Sequence, residues 1–128
     1  MEYVYAVISG NSAPGSGVTA VTADSDVNTV IPTDDGGADA ATATYNETRN
    51  FDGLGQSLST RSVQTYDSSG DGVWTTFLLN DGSDNPVYAA AANSNGDGFN
   101  GNSVDYQMLL PAGSDMGSPT YDFYVELK

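Results

Sequence analysis

Turn-forming residues interrupt this chain so often that a long helix has no room to form. The 128 residues include 15 Gly, 5 Pro, 10 Asn and 14 Ser, and breaks recur about every eight to twelve positions. Short β-branched and aromatic runs fill the intervals, the pattern of strands joined by tight turns. The spacing predicts strands near Glu2–Ser9, Val18–Ala23, Asn28–Ile31, Ala41–Arg49, Ser57–Tyr66, Val73–Asn80, Pro86–Ala92, Val104–Leu110 and Thr120–Leu127. Many short strands at even spacing point to an all-β fold. The expected architecture is a single β-sandwich domain over residues 1–128, immunoglobulin-like or jelly-roll, with eight or nine short strands.

The strand near the C-terminus is the clearest. Tyr121, Phe123, Val125 and Leu127 alternate with Asp122, Tyr124, Glu126 and Lys128, which predicts the first set on a core and the second in water. Glu2–Ser9 is apolar on both faces, so it is either central or covered by a partner. Trp74 and Phe77 are expected to anchor the core from the Val73–Asn80 strand. The longest loops fall at Asp34–Gly37 and Asn93–Asn102, with a shorter one at Gly113–Pro119.

Val, Ile, Leu and Phe total 24 of the 128 residues, just under the one-fifth level that accompanies disorder in highly charged chains. Eight Tyr, one Trp and twelve Thr in alternating runs argue instead for a folded chain. The charge itself is lopsided: three Lys plus Arg against seventeen Asp plus Glu give a net −14. Nucleic-acid binding and docking on anionic lipid both need clustered cations, so the first is excluded and the second disfavoured. No apolar run approaches the 18 or so residues of a membrane-spanning helix, and no membrane insertion is expected.

Fourteen of the acids are Asp, and the cations are Arg49, Arg61 and Lys128 alone. Such imbalance destabilises a compact state through self-repulsion unless salt supplies counterions. In molar salt the Debye length falls to roughly 3 Å and the carboxylates barely sense one another. This composition resembles the proteome pattern of salt-in extreme halophiles such as haloarchaea and their viruses. The resemblance is to a habitat and identifies no family.

Two loops carry oxygen ligands at alternate positions followed by Gly, a spacing that suits calcium. They are Asp67-Ser68-Ser69-Gly70-Asp71-Gly72 and Asn93-Ser94-Asn95-Gly96-Asp97-Gly98. The candidate ligands are Asp67, Ser69 and Asp71 in the first loop, and Asn93, Asn95, Asp97 and Asp105 in the second. Position 12, where a bidentate Glu would complete an EF-hand loop, falls on Leu78 and Val104. Asp-Gly and Asn-Gly are also strong turn signals, so solvated turns are the competing reading. No cofactor is required, and calcium is the candidate ion.

With no His and no Cys, the commonest general base and the thiol nucleophile are missing. No Asp-Thr-Gly or Asp-Ser-Gly tripeptide and no phosphate-cradling loop occurs, so no enzyme is expected. Asn46-Glu47-Thr48 is the one Asn-x-Ser/Thr sequon, which makes Asn46 a candidate glycosylation site. Tyr3, Tyr5 and Tyr124 are candidate subunit contacts, with core packing as the competing reading for the first two.

Taken together, these residues predict a non-enzymatic structural protein of a halophilic assembly. The expected form is a virion component, such as a capsid, decoration, spike or tail protein of a haloarchaeal virus. Its expected partners are copies of itself and other assembly proteins. Met1-Glu2-Tyr3-Val4-Tyr5 lacks the features of a secretory signal, which places assembly in the host cytoplasm if Met1 is the start. The alternatives are a haloarchaeal cell-surface or filament subunit and a calcium-dependent or carbohydrate-binding module.

Overall fold

Alternating side chains along the short apolar runs let one ribbon of strands bury both of its faces. The computed structural model describes residues 2–31, 40–111 and 119–127. The elements in chain order are β1 (Tyr3–Ile8), β2 (Thr19–Ala20), α1 (Asp24–Val30), α2 (Ala40–Thr44), β3 (Glu47–Gly53), β4 (Gln56–Thr65), β5 (Trp74–Asn80), β6 (Pro86–Ala91), β7 (Gly96–Asp97), β8 (Ser103–Val104) and β9 (Tyr121–Glu126). Six strands form a continuous antiparallel path, β3-β4-β5-β6-β1-β9, and β2 adds a seventh by pairing with β5. β7 and β8 make a separate two-stranded sheet. The fold is therefore all-β and sandwich-like, as the turn spacing predicts. Among the described residues no helix is long and apolar enough to cross a membrane.

The large sheet curls, and its curvature supplies the two layers. On the concave side Tyr3, Tyr5 and Val7 of β1 meet Phe51 of β3, Phe77 and Leu79 of β5, and Val87 and Ala89 of β6. The Tyr3 and Phe51 rings lie 4.9 Å apart at 54°, and Phe51 also meets Phe77 at 5.6 Å. Aromatic pairs at such separations each add about 0.5–1.5 kcal/mol beyond the area they bury. β3 and β1 are thus joined through side chains although four ladders separate them in the sheet.

The convex side is covered by other parts of the chain. Val27, Val30, Ile31 and Tyr45 pack on Ala6, Leu78 and Tyr88, with Met108, Leu110 and Tyr121 at the margin. Residues 105–111 cross this face without a ladder, where a strand over Val104–Leu110 was expected; β8 stops at Val104. Three hydrogen bonds pin the crossing: Tyr45 Oη donates to the Leu109 carbonyl (2.6 Å), the Leu109 N–H to Thr76 Oγ1 (3.0 Å), and Tyr121 Oη to the Pro111 carbonyl (3.0 Å). Tyr88 is fully buried here, and its hydroxyl has no partner among the described residues.

Two predicted strands are helical instead. Asn28–Ile31 belongs to α1 and the turn after it, because Val27, Val30 and Ile31 at helical spacing bury one face. Asp24 and Asp26 sit in its first turn, where acids oppose the helix dipole favourably. The Ala-Thr alternation at Ala41–Thr44 is helical as well, and the strand begins only at Glu47. Alanine favours helix strongly, and the fully buried Tyr45 ties α2 to the convex core. β2 is shorter than expected and lies between the diverging ends of β4 and β5. Buried Thr60 makes that possible: it accepts from the Val21 N–H (2.8 Å) and donates to the Leu78 carbonyl (2.7 Å). The expected loop at Asp34–Gly37, and most of Gly113–Pro119, lie outside the described residues.

Candidate functional site

β9 is the outermost strand of the sheet, paired only with β1 among the described strands. In an antiparallel ladder alternate residues direct their N–H and C=O groups to opposite neighbours. The Ser9 N–H donates to the Thr120 carbonyl (2.8 Å), which sets the phase. Asp122, Tyr124 and Glu126 therefore turn their backbone groups to Val7, Tyr5 and Tyr3, their ladder partners. The backbone groups of Tyr121, Phe123 and Val125 point away from the sheet.

Side chains follow the same alternation, and here the faces are the reverse of those expected. Tyr124 packs against the concave core, and Glu126 is half-buried beside it. Glu126 Oε1 accepts a 2.5 Å hydrogen bond from Tyr5 Oη, and both carboxylate oxygens accept from the Leu54 N–H at 3.1 and 3.0 Å. This carboxylate clips the end of the β3–β4 hairpin to β9. Gly53 leaves room for it, since a Cβ there would lie 2.7 Å from Tyr5 Oη and 2.9 Å from Glu126 Oε1. Burial, then the bond to Glu126, pushes the Tyr5 phenol well above its ordinary range.

The residues expected on the core are on the outside instead. Tyr121 still packs edge-on to Tyr88, at 6.0 Å and 80°. Beyond it the convex cover ends: Phe123 is 51% exposed, Val125 62% and Leu127 74%. Period-two alternation reveals two faces but not which one is buried. The preference of the concave core for a Tyr ring and a clipped carboxylate decided it, and nothing local in the sequence signals that preference.

Tyr3 and Tyr5, the expected subunit contacts, are 3% and 1% exposed and belong to the concave core, the competing reading for both. A chain poor in Leu and Ile fills its core with tyrosine. Tyr124 is half-buried with its ring turned to that same core, leaving Phe123 and Val125 as the outward groups of β9.

The two candidate calcium loops meet at one end of the molecule. Ser68 donates through both N–H and Oγ to Asp97 Oδ2, joining them directly. Asp67 Oδ1 accepts from the N–H groups of Ser69 and Asp71, both at 2.9 Å, and Asp105 Oδ1 accepts from Asn95 N–H at 3.1 Å. Asn93 N–H donates to the Asp105 carbonyl (2.7 Å). The Asp67 bonds are of the side-chain-to-backbone kind that shapes a tight turn, while the others tie separate segments together. Trp74 Nε1 donates to the Asp97 carbonyl (2.8 Å), and a Cβ on Gly96 would lie 2.5 Å from the Trp74 ring. Among the described residues no three acidic side chains gather as a metal-binding group. Asn46 is exposed between α2 and β3.

No protein-family model matches this chain, and neither the curated proteins nor the solved structures include a significant match to it.

Proposed function

We propose that this chain is a non-enzymatic structural subunit of a salt-adapted assembly, a virion component of a haloarchaeal virus. The observation that carries the reading is the β9 edge, where outward backbone groups and exposed Phe123 and Val125 occur on the same residues. An apolar edge strand is a template for pairing with another chain, and isolated domains ordinarily blunt such edges with charge, proline or a bulge. The net charge of −14 supports the choice of solvent. Copies so charged repel one another in dilute buffer, whereas in molar salt the edge can approach a partner.

Sedimentation velocity in about 0.1 M and about 3 M KCl tests the reading. Multimers are expected in high salt and monomers, with a weakened fold, in low salt. A stable monomer in both, at every concentration reached, overturns it. Peptide mass spectrometry of purified haloarchaeal particles then tests the virion assignment, which requires this chain in stoichiometric amount.

A further inference from the structure

We infer that the partner of the β9 edge is β9 of a second copy of this chain, paired antiparallel about a two-fold axis at Phe123. The inference rests on the assembly reading above and specifies the contact. An outer edge can be extended by its own copy or by the opposite edge, β3. The residues of β3 facing out are Thr48, Asn50 and Asp52, since Glu47, Arg49, Phe51 and Gly53 turn inward toward Ser62, Thr60, Leu58 and Gln56. Pairing β9 with β3 would set Phe123 and Val125 against exposed polar side chains, and the outward Asp52 N–H already donates to Tyr3 Oη. Pairing β9 with itself sets apolar against apolar.

Two registers use the whole length of β9, with the axis at Phe123 or at Tyr124, and charge selects between them. With the axis at Tyr124, Asp122 of each copy lies opposite Glu126 of the other, and directly opposed like charges destabilise a sheet. Moving the axis to Phe123 removes both clashes. Phe123 then faces Phe123, Tyr121 faces Val125, and Asp122 faces Tyr124. The two-fold axis is perpendicular to the sheet, so Phe123 and Val125 of both copies line one continuous convex face. Asp122 and Tyr124 share the concave face. Opposed Phe123 residues would exchange two N–H···O=C bonds across the seam. A contact one strand long lies at the low end of specific interfaces, below about 1,200 Å², so the pair is expected to dissociate on dilution.

Single-cysteine crosslinking tests the register in a chain with no native cysteine. Directly opposed hydrogen-bonded residues have Cα atoms about 5.5 Å apart, within disulfide range. In this register the two Val125 positions are four residues out of step, roughly 13 Å apart at the usual strand rise. Under mild oxidation in about 3 M KCl, Phe123→Cys is expected to give at least about tenfold more crosslinked pair than Val125→Cys. Crosslinking through Val125→Cys instead would overturn the proposed axis. Multimers in sedimentation with neither variant crosslinking would place the contact elsewhere, sinking the inference while leaving the assembly reading intact. Phe123→Lys, at an exposed site that keeps the fold, is expected to abolish the pair; a pair that survives it contradicts the proposal.

Discussion

The two outer strands of the sheet are built alike and finished differently. Among the described strands β3 and β9 each pair on one side, turn alternate backbone groups outward, and project the side chains of those residues from the convex surface. On β3 these are Thr48, Asn50 and Asp52, beside an Arg49–Glu47 ion pair. On β9 they are Tyr121, which packs on Tyr88, and the exposed Phe123 and Val125. A polar, charged edge discourages further pairing, and an apolar one invites it. The contrast teaches that the two edges of one sheet are finished unequally: among the described residues one turns polar side chains outward and the other apolar ones.

Each strand also carries a phenylalanine, and the pair offers the largest test of the contrast. Phe51 is fully buried among Tyr3, Tyr5 and Phe77, so Phe51→Ala is expected to cost about 3–5 kcal/mol in denaturant unfolding. Phe123→Ala should change the monomer by no more than about 0.5 kcal/mol while weakening association. Equal stability losses would erase the distinction between the edges.

Next in size is the clip that joins them. Gly53→Ala intrudes on Tyr5 and Glu126 and is expected to cost about 1–3 kcal/mol, read from the same unfolding curves. The clip should also be visible in pH dependence. Tyr3 and Tyr5 have phenols raised by burial above their ordinary value of about 10. Protons are therefore held more tightly in the folded chain, so this stability is complete below pH 10 and is lost as pH rises beyond it. Melting temperature should hold up to about pH 9 and fall above pH 10, and Tyr5→Phe should make that fall shallower. The smallest effect on the monomer is expected from Thr48→Val with Asn50→Val, within about 0.5 kcal/mol. In high salt, however, opening β3 should turn closed pairs into open-ended chains, visible by electron microscopy.

The strands were legible because tight turns and β-branched runs are local signals. β4, β5 and β6 fall within a residue or two of the predicted runs. α1 and α2 were not legible, since Thr29-Val30-Ile31 and the Ala-Thr alternation look like strand until Val27, Val30 and Tyr45 are seen to share a core. The candidate site was half legible: β9 itself was found, but with its faces exchanged. Its orientation is fixed by Gly53, Leu54 and Tyr5, far away in sequence, meeting Glu126.

The open edge is tested most directly by amide hydrogen exchange in about 3 M KCl over a range of protein concentrations. Protection at Phe123 and Val125 should rise with concentration as their N–H groups find acceptors in a second copy, while Thr48 and Asn50 stay fast throughout. Unchanged exchange at Phe123 and Val125 across concentrations where the protein is multimeric would contradict the account.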